Sequence, residues 1–518
     1  MAKINQLRAG VWLSYLNMAI GSIVPLIYTP IMLDMLGQAE YGTYSLANSV
    51  MGYISLLNFG LGSTMARYIT KYRAEDDKDG ERKVVGLFTV IFMVIALLTF
   101  IAGTIVAFNL DFFYGDSLTS SELSTMKTLV LLLTFNTGFF LPCSVFTSIT
   151  LSHEKYVFNR VMNIVLTCVS PCANLIVLYM GFKSVGLVIA STIVNAFVNI
   201  AYILYSYKKL HIMPKFKNMP FGMLKEILIF SFFIFLAQIV DTLYWTTDKV
   251  IIGAAMGTAA VAVYNVASTF NTYVMQISAT ISGVLMPKVT TMLTKNDTKE
   301  QLSELFIRVG RLQFIVVSFI VSAFISFGKP FILLWAGSDY GEAYTVALLV
   351  MLPYTIPLIQ NTGISILVAQ NKHSFRSIMY AIIAVFNVVL TMLLVNKYGI
   401  VGAAFATCLG YFIGQICIMN WYYHKKIGIN IPLFWLNILK MSPVMVVMTL
   451  LGLFFTNKVM VIDSWTKFLI SAIVFTIIYA VSAYFVMMND YEKDVFRGPV
   501  KNLIKKISGK REELCTDK

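Results

Sequence analysis

Residues 84–108, VVGLFTVIFMVIALLTFIAGTIVAF, run for a full membrane thickness without one charged side chain. A helix that crosses a bilayer needs about 20 mostly apolar residues. Runs of this kind recur along the whole chain, and their apolar residues are continuous, not alternating with period two. That pattern selects helices over a transmembrane barrel, because each helix satisfies its own backbone groups within the hydrocarbon. Composition agrees: 13% of the 518 residues are charged, about half the roughly 25% of soluble domains. The fold class read from the sequence is therefore an all-α polytopic membrane protein. Fourteen spans are expected, near 10–33, 43–68, 84–108, 125–150, 159–180, 185–207, 223–247, 257–287, 306–328, 344–369, 376–396, 401–423, 437–457 and 464–487. The eighth is overlong for one crossing and is expected to tilt or to project beyond the bilayer. The N-terminal MAKINQLRAG is basic, but the apolar run behind it is too long for a signal peptide and lacks a small-residue cleavage site.

The basic residues orient the spans. With the N-terminus inside, only Lys127, Lys183, Lys249, Lys329, Lys397, Lys458 and Lys467 of the 40 Lys and Arg fall on the outer face. Both termini are thus expected in the cytoplasm, and the net charge of +14 is chiefly a topology signal. Scattered over short inner loops and two tails, these charges form no nucleic-acid-binding patch. The tail VKNLIKKISGKREE has two readings, a basic amphipathic helix on anionic lipid or a solvated segment.

An internal repeat organises the spans. YGTYSLANSV (41–50) aligns with VAVYNVASTF (261–270) at an offset of 220, pairing Tyr44 with Tyr264. VGLVIAS (185–191) aligns with VGAAFAT (401–407) at 216. Six helices repeated make both halves enter from the same side, a parallel repeat. The expected organisation is two six-helix bundles, 1–210 and 211–430, then two added helices in 431–488 and a basic cytoplasmic tail, 489–518. Such a molecule, without a large outer domain, suggests a transporter in which substrate sits between bundles and is reached by alternating access.

Several spans carry polar stripes. Span 1 holds Ser14, Asn17, Gly21, Pro25 and Tyr28; span 2 holds Tyr44, Asn48, Gly52 and Ser55; span 8 holds Tyr264, Ser268, Asn271 and Gln276. Asn136, Asn163, Asn174, Asn195, Gln360, Asn361 and Asn387 add amides at membrane depth. Small and amide residues serve equally as helix–helix glue or as a cavity lining. Charge is more telling, since an Asp, Lys or Arg at a helix centre costs about 2.5–3.5 kcal/mol on insertion. If span 7 enters at Lys225, Asp241 lies about 24 Å in, inside the hydrocarbon, whereas Asp248 and Lys249 lie about 35 Å in, at the far headgroups. Asp241 is thus the expected intramembrane acid, in a cavity or coupling role or with a buried structural partner. Asp248 and Lys249 are expected to cap the helix exit. Arg67 and Lys71 share a face at the inner end of span 2. With Arg160 and Arg376, which stand 216 apart at the inner starts of spans 5 and 11, they read as positive-inside charge or as a vestibule for an anionic headgroup.

The six cysteines and four histidines show no disulfide framework or metal-ligand spacing, so neither a metal nor another cofactor is expected. Outer loops of about 15 residues at most, without an acid–base pair, argue against a membrane polymerase or glycan ligase.

The segment TTDKVIIGAAMGTAAVAVYNVAS (246–268) resembles a motif of the Wzx-type polysaccharide and O-antigen repeat-unit flippases, through Asp248, Lys249, Ile252, Gly253, Gly257, Ala260, Val261, Tyr264 and Ala267. MLGQAEYGTYSLANSVMGYISLLNFGLGSTMARYI is similar to the companion stretch, with Leu36, Gly37, Tyr41, Gly42, Tyr44, Gly60, Arg67 and Tyr68 in place. The resemblance covers essentially the whole chain and places it in the multidrug/oligosaccharidyl-lipid/polysaccharide (MOP) exporter superfamily. It implies translocation of a polyprenyl diphosphate-linked oligosaccharide across a bacterial cytoplasmic membrane, with membrane lipids around it and protons or sodium as candidate coupling ions. The alternatives are a cation-coupled multidrug exporter and a lipid II flippase. Span 1 lacks the interior acid common in the drug antiporters, and Arg67 is the only arginine of the first two spans apart from the terminus, unlike the arginine-rich cavity of lipid II flippases.

Overall fold

The computed structural model describes residues 6–294, 299–370, 372–494 and 497. Every regular element among the described residues is helical. In chain order the α-helices are α1 (Gln6–Leu36), α2 (Gln38–Ile54), α3 (Leu61–Ala74), α4 (Lys78–Phe108), α5 (Leu110–Tyr114), α6 (Ser120–Phe140), α7 (Ser144–Ser152), α8 (Tyr156–Tyr179) and α9 (Lys183–Tyr205). There follow α10 (Leu224–Met256), α11 (Thr258–Thr294), α12 (Lys299–Trp335), α13 (Ala343–Ile359), α14 (Thr362–Ala369), α15 (His373–Tyr411), α16 (Met419–Tyr422), α17 (Ile431–Phe454) and α18 (Trp465–Ser482). Most of the basic C-terminal tail, Cys515 included, lies outside the described residues.

The fourteen apolar segments fall on these helices, but not one to one. Eleven helices among the described residues are long and apolar enough to cross a membrane. The second span is broken into α2 and α3 at Phe59 and Gly60, both in the left-handed region at φ 51° and 64°. Polar residues along α11 lower its hydropathy, and α15 carries two spans whose arms meet at Gly399, φ 62° and ψ −147°. Span 7 is longer than expected: α10 continues through Asp248 and Lys249 and stops at Gly257. The charges do not end the helix, because they have partners inside the fold.

The chain divides into two compact units, residues 1–268 with 380–407 and residues 269–379 with 408–518. This differs from the 1–210 and 211–430 halves of the repeat. In the first unit, the turn between α10 and α11 is locked onto the N-terminal helices. Thr258 donates its hydroxyl to Glu122, whose other oxygen closes a capping box with Thr119 at the start of α6. Ser117 Oγ donates to the carbonyl of Gly253 at 2.9 Å, and Gly42 has no room for a Cβ against the carbonyl of Thr258. A core of Leu61, Met65, Val84, Phe88, Phe92 and Val145 joins α3, α4 and α7.

In the second unit, residues 431–488 pack as part of the body. Phe434 of α17 lies against Phe306 of α12, ring centroids 4.9 Å apart. Past α18, Glu492 receives two hydrogen bonds from Arg311 of α12, at 2.6 and 2.9 Å, with both side chains buried. The paired geometry satisfies both charges, and removing either partner would strand the other.

Candidate functional site

Helices α10 and α11 form a hairpin about Gly257, whose φ of 82° suits glycine. Side chains at similar distances on either side of such a turn come face to face. Asp248 stands nine residues before Gly257 and Tyr264 seven after, about 13 and 10 Å along their helices. Tyr264 Oη accordingly donates to Asp248 Oδ2 at 2.6 Å.

The two arms of α15 complete the surroundings of this carboxyl. Thr407 Oγ1 donates to Oδ2 at 2.7 Å and Thr391 Oγ1 to Oδ1 at 3.1 Å. Asn387 lies one helical turn from Thr391, with Oδ1 at 3.2 Å from the Thr391 hydroxyl, and its Nδ2 donates to Thr407 Oγ1 at 3.3 Å. Asp248 is 4% exposed, and Asn387, Thr391 and Thr407 are buried with it. All five residues belong to the first unit. The result is a buried carboxyl group with three hydroxyl donors and an amide beside them. Oxygen donors of this kind suit a proton or a hard cation; among the described residues no cluster of His, Cys, Asp and Glu could hold a transition metal.

Lys249, one residue on and about 100° around the helix, serves a second network. Its Nζ donates to Asn265 Oδ1 at 2.6 Å, and Asn265 Nδ2 donates to Tyr41 Oη at 2.6 Å. This chain links α10, α11 and α2. Beside it, Thr247 and Tyr53 share a hydrogen bond between their hydroxyls.

The capping role expected for these charges is therefore corrected. Asp248 and Lys249 are not a cap at the helix exit; they lie within α10 and are held by partners from α2, α11 and α15. Asp241 and Trp245, two turns and one turn earlier, are exposed. Asp241 shares a helix face with Asp248, but only at the level of Asp248 do Tyr264, Thr391 and Thr407 close over that face.

The remaining candidates are dispersed. Asn17 and Tyr44 are half-buried. Asn48 is exposed and its Nδ2 bonds back to the Tyr44 carbonyl at 2.8 Å, a satisfaction local to α2. In the second unit, Asn271 is buried with no hydrogen-bond partner for its side-chain oxygen, and Gln276 is exposed. Arg67 is exposed on α3 with its guanidinium over the Phe230 ring, 4.7 Å from the centroid. Lys71 is exposed, and Arg160 and Arg376 are half-buried. The structure brings Asp248, Lys249 and Tyr264 close together and adds Asn265, Thr391 and Thr407, which the sequence reading did not single out, and Tyr41, which it named only for the family resemblance. The spacing of Asn387 and Thr391, four apart on one face, was the available signal.

A family model described as "Polysaccharide biosynthesis protein" matches residues 7–293. A comparison with curated proteins gives no significant match. Among solved structures, the lipid II flippase MurJ in an inward closed conformation superposes with a TM-score of 0.70 at 14% identity, over 92% of this chain and 98% of that one. An inward-facing multidrug resistance MATE transporter of the MOP superfamily gives 0.66 at 13% identity, over 80% and 95%. A MOP superfamily transporter from Pyrococcus furiosus gives 0.56 at 15% identity, over 80% and 95%. These likenesses establish the fold, and the three neighbours are a flippase and two transporters. The chain belongs to the polysaccharide biosynthesis protein family and is a multi-pass membrane protein with the fold of MOP-superfamily transporters.

Proposed function

We propose that the protein moves polyprenyl diphosphate-linked oligosaccharide units across the bacterial cytoplasmic membrane for surface polysaccharide assembly, by alternating access. The observation that carries this reading is a polysaccharide-biosynthesis family match on a transporter fold. The lysine and arginine bias supports an orientation with both termini in the cytoplasm. Arg67, Lys71, Arg160 and Arg376 then stand toward the inner surface, where the diphosphate of the cargo is loaded. Asn17, Tyr44, Asn48, Asn271 and Gln276 supply amide and hydroxyl groups for sugar.

Asp248 is the group we assign to energy coupling. Its carboxyl exchanges a proton or a sodium ion among the hydroxyls of Tyr264, Thr391 and Thr407. Loss or gain of a charge there alters the bonds that tie α10 to α11 and α15, a switch between helices of the same unit. Asp241, exposed two turns earlier on α10, is the second candidate.

Purified protein in proteoliposomes, supplied with a fluorescent polyprenyl diphosphate oligosaccharide, tests the reading. Transfer to the opposite leaflet, faster under a proton or sodium gradient and lost in Asp248→Asn, is the expected result. Ethidium efflux without glycan transfer would replace it with a drug exporter. Transfer of lipid II in preference to other lipid-linked glycans would replace it with a lipid II flippase.

A further inference from the structure

The last turns of α10 and the start of α11 lie against α2 and the segment that leads into α6. Glycines set the close approach: a Cβ on Gly42 would run into the Thr258 carbonyl, and one on Gly253 would meet the Leu46 side chain at 2.7 Å. Leu46 is fully buried in this seam. Polar ties cross it. The Tyr53 and Thr247 hydroxyls share a hydrogen bond, and Asn265 Nδ2 donates to Tyr41 Oη at 2.6 Å. Ser117 Oγ donates to the Gly253 carbonyl, and Thr258 donates to Glu122. Ties of this kind are exchanged for bonds to water at small net cost, so such a contact can part as well as hold. The lysine and arginine bias puts this end of α10 on the outer side.

Lys249 joins the seam to the carboxyl of Asp248. The two are sequence neighbours, about 100° apart around the helix. Asp248 therefore faces Tyr264, Thr391 and Thr407, while Lys249 faces Asn265 of α11. Lys249 stands eight residues before Gly257, about 12 Å along the helix. Among the described residues its ammonium has one hydrogen-bond acceptor, Asn265 Oδ1 at 2.6 Å, and no carboxylate forms an ion pair with it. Asn265 passes the contact on to Tyr41 of α2. The other ionisable groups that pack on these residues, Tyr264 of α11 and Tyr41 and Tyr53 of α2, are phenols, and Glu122 sits at the far end of the seam beside Thr258. The charge that balances Lys249 is thus that of Asp248, one residue away. A proton or a bound cation that neutralises Asp248 leaves the ammonium unbalanced within an apolar helix, which is costly. Water entering the seam relieves that cost.

We propose that Lys249 is a positioning residue that carries the charge state of Asp248 to the seam. With Asp248 ionised, the chain of Lys249, Asn265 and Tyr41 holds α10 and α11 on α2; with Asp248 neutralised, the seam opens at its Gly257 end. The assignment rests on the proposed function, in which Asp248 couples, and adds the route from that carboxyl to the contact that moves. Leu46→Cys reports the opening. The full-length protein in nanodiscs, without cargo, is labelled with a water-soluble maleimide, and the rate at position 46 is read by mass spectrometry, apart from the native cysteines. Asp248→Asn, a fixed neutral group, is expected to raise that rate at least fivefold. In Lys249→Met, and separately in the milder Tyr41→Phe, adding Asp248→Asn is expected to change it less than twofold, all at matched melting temperature. Glu122→Gln weakens a tie that does not pass through Lys249, so it should raise the rate by the same factor with Asp or Asn at 248. Unchanged or slower labelling in Asp248→Asn would overturn the assignment. So would a fivefold response that persists in Lys249→Met or Tyr41→Phe, or one that Glu122→Gln abolishes as well. Because labelling needs no cargo, a seam that follows the charge at 248 in a protein that moves no glycan would strike the proposed function instead. Gradient-driven glycan transfer that is lost in Asp248→Asn while labelling stays flat would strike this inference alone.

Discussion

Two hairpins of the first unit pair up under the 216-residue offset read from the sequence, and only one of them meets a carboxyl group. In the α8–α9 pair, Ser191 Oγ donates to Asn174 Oδ1 at 3.2 Å and lies 3.3 Å from Ser170 Oγ. In the two arms of α15, Asn387 Nδ2 donates to Thr407 Oγ1 at 3.3 Å; Ser191 and Thr407 stand 216 apart, and Asn174 and Asn387 stand 213 apart. The third member differs. Asp248 joins Thr407, while 220 residues earlier the equivalent position is Tyr28. One site is neutral across ordinary pH and the other contains a carboxyl group able to change charge. An amide–hydroxyl contact thus recurs in both hairpins, and an ionisable group meets one of them.

The largest break in this comparison is expected from Asp248→Asn. Glycan transfer should fall about a hundredfold, about 2.8 kcal/mol, and the remaining flux should lose its dependence on proton or sodium gradients. Tyr28→Phe should leave both within a factor of two; an equal loss in the two variants would show that the repeats share the coupling role. The turns come next. Gly37 and Gly257, also 220 apart, have φ/ψ of 74°/168° and 82°/−172°. Gly37→Ala meets no neighbour, so only backbone strain of about 1–3 kcal/mol is expected. Gly257→Ala adds a contact with the Ser117 carbonyl at 2.9 Å and should lower the melting temperature further, as read by fluorescence-detected size exclusion on heating. A milder Gly257→Ala would mean that the α10–α11 turn relaxes more easily than the α1–α2 turn. Thr407→Val removes one donor to the carboxyl and should slow transfer about fivefold, about 1 kcal/mol. Ser191→Ala, the smallest, should cost about 0.6 kcal/mol of stability with transfer unchanged. Reversal of the Thr407 and Ser191 effects on transport would assign the coupling cluster to the wrong hairpin.

Much of the architecture was legible in the residues. Uncharged runs identify the membrane helices, and the 220-residue offset anticipates that Gly37 and Gly257 adopt the same turn. The site was legible only in part. TTDKVIIG announced that charge enters an apolar helix, but a count of rise from Lys225 gives a height along α10 and no partners, so Asp248 and Lys249 read as an interfacial cap. The compact units likewise cut across the repeat halves, since Glu122 and Ser117 fix the turn at Gly257 to the first helices.

Sequence alone settles the medium: too few charges for a soluble domain and enough apolar length for many crossings, because the hydrophobic free energy of a span is a local sum over its residues. Which acid is buried is not a local quantity. It depends on whether donors from elsewhere in the chain reach its depth, and Tyr264, Thr391 and Thr407 reach Asp248 only when α11 and the two arms of α15 are folded against α10.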